Sequence, residues 1–438
     1  MKSLVTTIIL AAGKGSRMLS TCSKWQHKLG GFNLLEHSIA KARAVKSNEI
    51  IAVLAPNDSS NVEVISYNIK LAIQKEAKGT ADAVLAAKDL VDNKQGVILV
   101  LYCDNPLIST DALQKALNTI TSGSAKVALI GFNETAPNSY GRLVTKGDSL
   151  LDIIETKNNQ NATDITLCNS GIVAIDAKVA WDLLSKIDNN NIYNEYYLTS
   201  IVAVANKLGH KCTYVIEENS DLAQGVNTKG ELAKLEQTFQ EQKRKEFLEQ
   251  GVTLVDPKTV YFSLDTEIGK NVVIHPYNVI GANVVIENDV IIESFSHIQE
   301  SIIKKGAIIG PFARVRKDSI IGEQVSIGNF VEVQKSTLAD NVKIKHLSYI
   351  GDSDVGEHSN IGAGVITCNF DGKNKYHTKI GKNSFVGSNV SLIAPINIED
   401  NSFVGAGSVI TKNIAEGSLA LSRSKQIEIK DWAKKHNK

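Results

Sequence analysis

Between residues 261 and 420 an aliphatic side chain returns at every sixth position. It falls at Ile268, Ile274, Ile280, Ile286, Ile292 and Ile298, steps by one, and continues at Ile303, Ile309, Val315, Ile321, Ile327 and Val333. A second step gives Leu338, Ile344 and Ile350, and a third gives Val355 and Ile361. After a polar break the series resumes at Ile380, Val386, Leu392, Ile398, Val404 and Ile410. A period of six is neither the roughly 3.6 of an amphipathic helix nor the alternation of an ordinary strand. It predicts a parallel β-helix in which each hexad is one short strand and one turn, with the aliphatic residue stacked inside on its counterpart in the next coil. The stretch holds 24 Ile and 17 Val but only five Leu, a strand-forming rather than helix-forming mix. Gly often follows the aliphatic residue, as at Gly269, Gly281 and Gly328, and is expected to supply a tight or positive-φ corner. A β-sandwich of ordinary strands is the alternative, and the sixfold repeat disfavours it. The polar break at 367–379, TCNFDGKNKYHTK, reads as a loop on a rigid solenoid, a usual place for function.

The first half is patterned differently. Apolar runs at Thr6–Ala12, Ile50–Ala55, Gly96–Leu101 and Lys126–Gly131 alternate with amphipathic stretches such as Leu34–Val45 and Thr80–Leu90. That is an α/β pattern with a mostly parallel, Rossmann-like sheet. Thr228 and Glu231 form a capping box ahead of Leu232, Leu235 and Phe239, so a linker helix is expected to run to Gly251. The division expected is 1–226, an α/β domain; 227–250, a linker helix; and 251–438, the β-helix with a basic tail ending in a short helix.

Balance of charge narrows the partners. The 438 residues carry 48 Lys and Arg against 47 Asp and Glu, net +1, which excludes a generic nucleic-acid or membrane-surface protein. No apolar run approaches the ~18 residues of a membrane span. Lys2 and the apolar Leu4–Ala12 resemble a secretory leader, but basic Lys14 and Arg17 follow where a small-residue cleavage site belongs, so a buried first strand is the reading. The cysteines, 22, 103, 168, 212 and 368, are odd in number, scattered and without a CxxC pair, and the His residues show no HxxxH spacing. A reducing, cytoplasmic setting without disulfides or zinc is expected.

Two motifs carry chemistry in the first half. In LAAGKGSRM, Leu10–Met18, a strand runs into a glycine loop whose backbone N–H groups can cradle phosphate, with Lys14 and Arg17 adding charge. It is neither a Walker loop nor the dinucleotide fingerprint, and alone it could be only a turn. In VLYCDNPL, Val100–Leu107, Asp104 stands just past an apolar strand. Ligands of α/β sheets bind at the carboxyl ends of strands, although a lone Asp there could equally cap a helix. In the second half His346 stands in HLSYIGDSDVGEHSNIGAG, and an isolated His of this kind is more often structural than catalytic.

These motifs together resemble the sugar-1-phosphate nucleotidyltransferases. With the hexads added, nearly the whole chain resembles the bacterial bifunctional N-acetylglucosamine-1-phosphate uridyltransferase and glucosamine-1-phosphate N-acetyltransferase family. The resemblance implies a left-handed β-helix, a homotrimer formed through it, UTP and acetyl-CoA as substrates, and Mg²⁺. It implies that Leu10, Ala11, Ala12 and Gly13 hold the uracil and ribose side of the nucleotide, and that Gln74, Gly79 and Thr80 in QKEAKGT read the uracil. Arg17 and Lys24 would act on the triphosphate. Tyr102, Cys103 and Asp104 would line the site, and Asp104 with Asn227 would ligate Mg²⁺. Gly141 in YGR, Glu155 in IIETK and Asn169 in NSG would contact the acetylated sugar; NEYYLT, Asn194–Thr199, also matches. In HLSYIGDSDVGEHSNIGAG, His346 would be the acetyl-transfer base. Arg316, Tyr349, Asn360 and Lys375 would bind glucosamine-1-phosphate. Ala363, Asn369, Phe370, Ser388, Ala406 and Arg423 would line the coenzyme A groove.

The chain departs from the family pattern in places. Ser23 stands where the family has Pro, Trp25-Gln26 replace small aliphatics, Cys103 replaces Gly, and Asp82 replaces His. Gln334 stands for a phosphate-binding Lys, with Lys335 beside it, and Phe370 replaces Tyr. Cys103 is expected to crowd the nucleotide, and Gln334 to weaken sugar-phosphate binding. Cys368 as an acyl carrier is disfavoured against direct transfer, because a thiol needs an activating neighbour. Two other functions compete: a single-activity nucleotidyltransferase whose β-helix only oligomerises or regulates, and a non-catalytic interaction subunit of a nucleotide-exchange complex. His346, Asn360 and Lys375 argue against the first; Arg17, Lys24, Asp104 and Asn227 argue against the second.

Overall fold

The computed structural model describes residues 4–58, 67–92, 94–135, 138–155, 164–191 and 193–436. The chain forms two compact units, Met1–Phe239 and Gln240–Lys438, with the division inside the helix Lys229–Glu249. The predicted capping box opens that helix: Thr228 Oγ1 accepts from Glu231 N at 3.2 Å, and Glu231 Oε2 accepts from Thr228 N at 3.0 Å. Among the described residues no helix is long and apolar enough to cross a membrane.

The first unit is built on a twisted sheet in the order Cys212–Glu217, Val127–Asn133, Leu167–Asp176, Val97–Tyr102, Val5–Leu10, Glu49–Leu54, Lys70–Ile73. The four strands expected from apolar runs are there, parallel except where Leu167–Asp176 runs antiparallel to both neighbours. Their near-continuous burial is what a sheet covered on both faces requires. Helices Leu34–Ala44 and Thr110–Thr121 pack their apolar stripes on this sheet, and Asn33 and Ser109 cap them through side-chain oxygens. The hairpin Arg142–Lys146 and Ser149–Ile154 extends from Leu167–Asp176.

The second unit is the β-helix of hexapeptide repeats. Ile274, Ile292, Ile309, Ile327, Ile344, Ile361, Val386 and Val404 stack in register through parallel pairs. A full coil of three hexads is 18 residues, so each one-residue step in the sequence pattern shortens one coil, as between Ile292 and Ile309. The insertion lengthens the coil between Ile361 and Val386, and the pairing resumes beyond it. The aliphatic column is nearly sealed from solvent: Ile292, Ile309, Ile321 and Ile344 are fully buried.

The glycines act differently from expectation. Positive φ at the corners belongs mainly to other residues, at Asn271, Tyr277, Asn283, Asp289 and Phe295 among others, while Gly269, Gly281 and Gly328 have ordinary φ. Gly328 is needed for space: a Cβ there would lie 1.9 Å from Lys345 O in the next coil. Asn and Asp tolerate the left-handed region because their short side chains bond locally, which lets a corner do without Gly.

Candidate active sites

The first site begins with how the chain presents Lys24. Lys24–Gln26 is one 3₁₀ turn. Ser23 Oγ donates to Asp58 Oδ1 at 2.8 Å and Trp25 Nε1 donates to Asp58 Oδ2 at 3.1 Å, so the residues on either side of Lys24 are held by one carboxylate. Gln26 Oε1 accepts from Ser23 N at 2.9 Å and closes the turn. Ser23, Trp25 and Gln26, with Asp58, thus form a single clamp. Gly15 completes the seat: its φ is 62°, and a Cβ there would lie 2.8 Å from Lys24 Cβ.

Lys24 Nζ donates to Asp104 Oδ2, and to Asn227 Oδ1 at 2.9 Å; Arg17 Nη2 donates to the same Asn227 oxygen at 2.8 Å. Asp104 is delivered by Val97–Tyr102, the strand beside Val5–Leu10, which delivers the glycine loop. Val226 N donates to Asp104 O at 2.9 Å and brings Asn227 to the same place. Asp104 Oδ2 and Asn227 Oδ1 therefore face one point. That point is held by the Lys24 ammonium; the carboxylate and amide oxygens suit a hard divalent cation, which would bind there only with Lys24 displaced.

These groups line a cleft of about 510 Å³ together with Leu10, Ala12, Gly13, Gln74, Gly79, Thr80, Tyr102 and Cys103. Ala11 points into the core and its N–H is spent on Val53 O at 2.9 Å. Gly79 is required by its own geometry, since φ is 121° and a Cβ would lie 2.5 Å from Tyr196 O. Thr80 Oγ1 accepts from Leu198 N at 2.9 Å, so the NEYYLT segment is tied to the cleft, and Glu195 and Tyr197 line it. Gly141, Glu155 and Asn169 form an adjoining group: Asn169 N donates to Gly141 O at 2.8 Å, and the Glu155 carboxylate lies 3.6 Å from where a Gly141 Cβ would be. Thr156 and Lys157 of IIETK lie outside the described residues. Cys103 is buried and its thiol is pushed up to about 12, by burial first and by Asp104 second, so it is an inert filler rather than a nucleophile.

The second site lies on the β-helix. Asn329 and His346 are register partners on adjacent coils, and His346 Nδ1 is 2.9 Å from Asn329 Oδ1. An amide oxygen only accepts, so this contact puts the proton on Nδ1 and leaves the Nε2 lone pair for a substrate ammonium. Backbone bonds continue the column coil by coil: Gly364 N to His346 O at 3.3 Å, Asn389 N to Ala363 O at 2.7 Å, Gly407 N to Ser388 O at 2.8 Å. Arg423 Nη1 donates to Ala406 O at 3.0 Å and ends it. His346, Ala363, Ser388, Ala406 and Arg423, far apart in sequence, thus share one corner.

Beside that corner, on the neighbouring sheet, Arg316 Nη1 donates to Glu332 Oε1 at 2.7 Å, and Glu332 is the register partner of Tyr349. Asn369 Nδ2 donates to Asp352 Oδ2 at 2.5 Å and to Tyr349 Oη at 3.4 Å. Arg316 Nε is buried and, among the described residues, has no hydrogen-bond partner. Asn360 joins His346's sheet instead, as the register partner of Lys343. Lys375 pairs across the insertion with Phe370, and the structure does not bring it against Arg316 or Tyr349. Lys335 turns through a left-handed corner, φ 47°, and is exposed, whereas Gln334 before it is half-buried. Burial raises the Cys368 thiol, which disfavours it as an acyl carrier.

Residues 7–166 match the MobA-like NTP transferase domain, and residues 265–299 match the bacterial transferase hexapeptide family. Residues 297–390 match the GMPPB C-terminal domain and 377–412 the hexapeptide repeat of succinyl-transferase. The chain is 44% identical over 428 residues to a "Bifunctional protein GlmU" of Wolbachia pipientis, covering 96% of this chain and 97% of that one. It is 41% identical over 438 residues to the protein of the same name from Paramagnetospirillum magneticum, covering 99% and 96%. The Agrobacterium fabrum protein of that name is 41% identical over 427 residues, covering 96% and 93%. The chain belongs to the GlmU family.

As a GlmU-family member it is a bifunctional enzyme, a nucleotidyltransferase unit followed by a hexapeptide acyltransferase unit, with the uridyl- and acetyl-transfer pair expected from the sequence. Four contributors escaped the sequence reading: Asp58, Asn329, Glu332 and Asp352. Asn329 could have been found, because it precedes His346 by one 17-residue coil and the hexad count aligns them. Asp58 could not, since its partners lie 35 and 33 residues away, beyond the helix Leu34–Ala44 and the strand Glu49–Leu54.

Proposed function

We propose that the protein acetylates glucosamine-1-phosphate with acetyl-CoA and then joins the product to UTP, giving UDP-N-acetylglucosamine and pyrophosphate. The observation that carries this reading is the convergence of Arg17, Lys24, Asp104 and Asn227 at the ends of two adjacent strands, in a chain whose other unit presents His346 with a free ring nitrogen.

In the first unit, a sugar-phosphate oxygen bonds to the α-phosphorus of UTP as the bond to the pyrophosphate oxygen breaks. Positioning and charge neutralisation suffice for such a transfer. Arg17 and Lys24 bind the phosphates and meet the charge that builds on the departing oxygen. Gly13 and Gly15 keep the loop open to the triphosphate, Gln74 and Gly79 meet the base, and Gly141, Glu155 and Asn169 hold the acetylated sugar. Asp104 and Asn227 would hold Mg²⁺, which when bound neutralises phosphate charge.

In the second unit, His346 Nε2 takes a proton from the substrate ammonium, and the amine attacks the thioester carbonyl. The carbon–nitrogen bond forms, the carbon–sulfur bond breaks, and coenzyme A leaves as the thiol. Asn329 holds the imidazole in its basic tautomer. Arg316 and Tyr349, with Asn360 and Lys375, bind glucosamine-1-phosphate; Ala363, Asn369, Phe370, Ser388, Ala406 and Arg423 line the path of coenzyme A. A homotrimer formed through the β-helix belongs to the same reading.

The division into 1–226, 227–250 and 251–438, a cytoplasmic location and a role in cell-wall and lipopolysaccharide precursor supply belong to the same reading. The test is product analysis with UTP, acetyl-CoA, Mg²⁺ and glucosamine-1-phosphate, each left out in turn. Leaving out UTP should stop the reaction at N-acetylglucosamine-1-phosphate. Formation of a UDP-sugar without acetyl-CoA would overturn the proposed order.

A further inference from the structure

The side-chain amide of Gln74 is held in one orientation by the chemistry of its neighbours. Gln74 follows the strand Lys70–Ile73, its backbone N–H donates to Leu54 O at 3.0 Å, and its side chain is buried at the wall of the nucleotide cleft. Nε2 donates to Gly79 O at 3.0 Å and to Asp82 Oδ2 at 2.8 Å. A carbonyl and an ionised carboxylate accept hydrogen bonds and cannot donate them. Both amide hydrogens are therefore spent, and rotating the amide by half a turn would set its oxygen against two other oxygens. Among the described residues nothing donates to Gln74 Oε1. What Gln74 can offer a ligand is a fixed acceptor.

Resting on the reading of this cleft as a UTP site, we propose that Asp82 is a positioning residue for nucleobase selection. It holds Gln74 so that Oε1 is the atom met by the base edge. A uracil presents its imide N–H there and makes the bond. A cytosine presents a ring nitrogen lone pair and leaves two acceptors facing each other in a buried wall, an arrangement that sites built for one hydrogen-bond pattern reject strongly. Asp82 does not touch the nucleotide; it acts through Gln74.

The test replaces Asp82 in the full-length protein by Asn and, separately, by Ala. The Asn amide can donate to Gln74 Oε1, which removes one of the two oxygen contacts that oppose the turned amide and leaves only Gly79 O, so turning Gln74 to present its NH₂ to cytosine costs less than in the wild type. The readout is the ratio of kcat/KM for UTP to that for CTP, with acetyl transfer on the same preparation reporting that the chain is folded. The ratio should fall about tenfold or more in Asp82→Asn and should fall also in Asp82→Ala, while acetyl transfer is unchanged. If either variant turns over too slowly to assay, calorimetric affinities for UTP and CTP with Mg²⁺ supply the same ratio. An unchanged ratio in both variants, with UTP still used, overturns the role of Asp82 and leaves the UTP site standing. A wild-type protein that uses CTP or a purine triphosphate as well as UTP overturns the UTP reading itself, and the proposal with it.

Discussion

At the scale of single residues, the nucleotide site depends on groups that never meet substrate. Lys24 acts, but Asp58 decides where it stands by bonding Ser23 and Trp25 on either side. Replacing Asp58 by Ala leaves the buried Trp25 Nε1 without an acceptor, which costs about 1–3 kcal/mol. A displacement of Lys24 by about 1 Å is enough to slow transfer by roughly 10²-fold. Asp58→Ala is therefore expected to lose nucleotidyl transfer on that scale and some stability, with acetyl transfer intact; steady-state assays of both reactions check it. Equal losses in the two reactions would show a general folding defect instead. The charged residues that converge in the cleft were legible in the sequence, because the glycine loop and the strand-end Asp104 fall in local motifs. The residues that seat them were not, because a hydrogen bond spanning 35 residues leaves no local pattern. Cys103, expected to crowd the nucleotide, is largely buried and still lines the cleft.

At the scale of elements, the hexads were the most legible part of the chain. Their period specifies strand, turn and stacking partner at once, and even the one-residue steps reappear as 17-residue coils. The glycines were misread because two needs look alike in a sequence: freedom of φ, and absence of a Cβ where coils approach closely. Asn271, Asn283 and Asp289 meet the first, and Gly328 meets the second. In the α/β unit the helix Leu34–Ala44 carries a titratable core residue that patterning alone does not single out. His37 is buried against Phe239, and its Nε2–H donates to Leu29 O at 2.7 Å. Burial holds its imidazolium off, lowering the pKa to about 4 against an ordinary 6.5. Between those values the unfolded chain takes up a proton that the folded chain refuses, so stability rises with pH across that window. Above about pH 6.5 the effect is absent; falling to pH 4 removes about 3 kcal/mol. Denaturant titrations from pH 7 to pH 4 should show this loss in the wild type and a flatter profile in His37→Gln. An identical slope in both proteins would contradict the assignment.

At the scale of the whole molecule, two folds with unlike rules share one chain. The near-even charge of 48 against 47 conceals local cation groups, Arg17 with Lys24 in one unit and Arg316 in the other, the proposed phosphate contacts. Each unit buries its own core and builds its own polar cluster from its own residues. The central claim is that the two reactions have separate machinery. The most direct measurement follows the products formed by folded Asp104→Ala and His346→Ala from glucosamine-1-phosphate, acetyl-CoA, UTP and Mg²⁺, with N-acetylglucosamine-1-phosphate also supplied in a parallel run. The account predicts that Asp104→Ala accumulates N-acetylglucosamine-1-phosphate. It predicts that His346→Ala loses acetyl transfer by about 10²–10⁴-fold yet converts supplied N-acetylglucosamine-1-phosphate to the UDP-sugar at the wild-type rate. Loss of both reactions in either folded variant would contradict it.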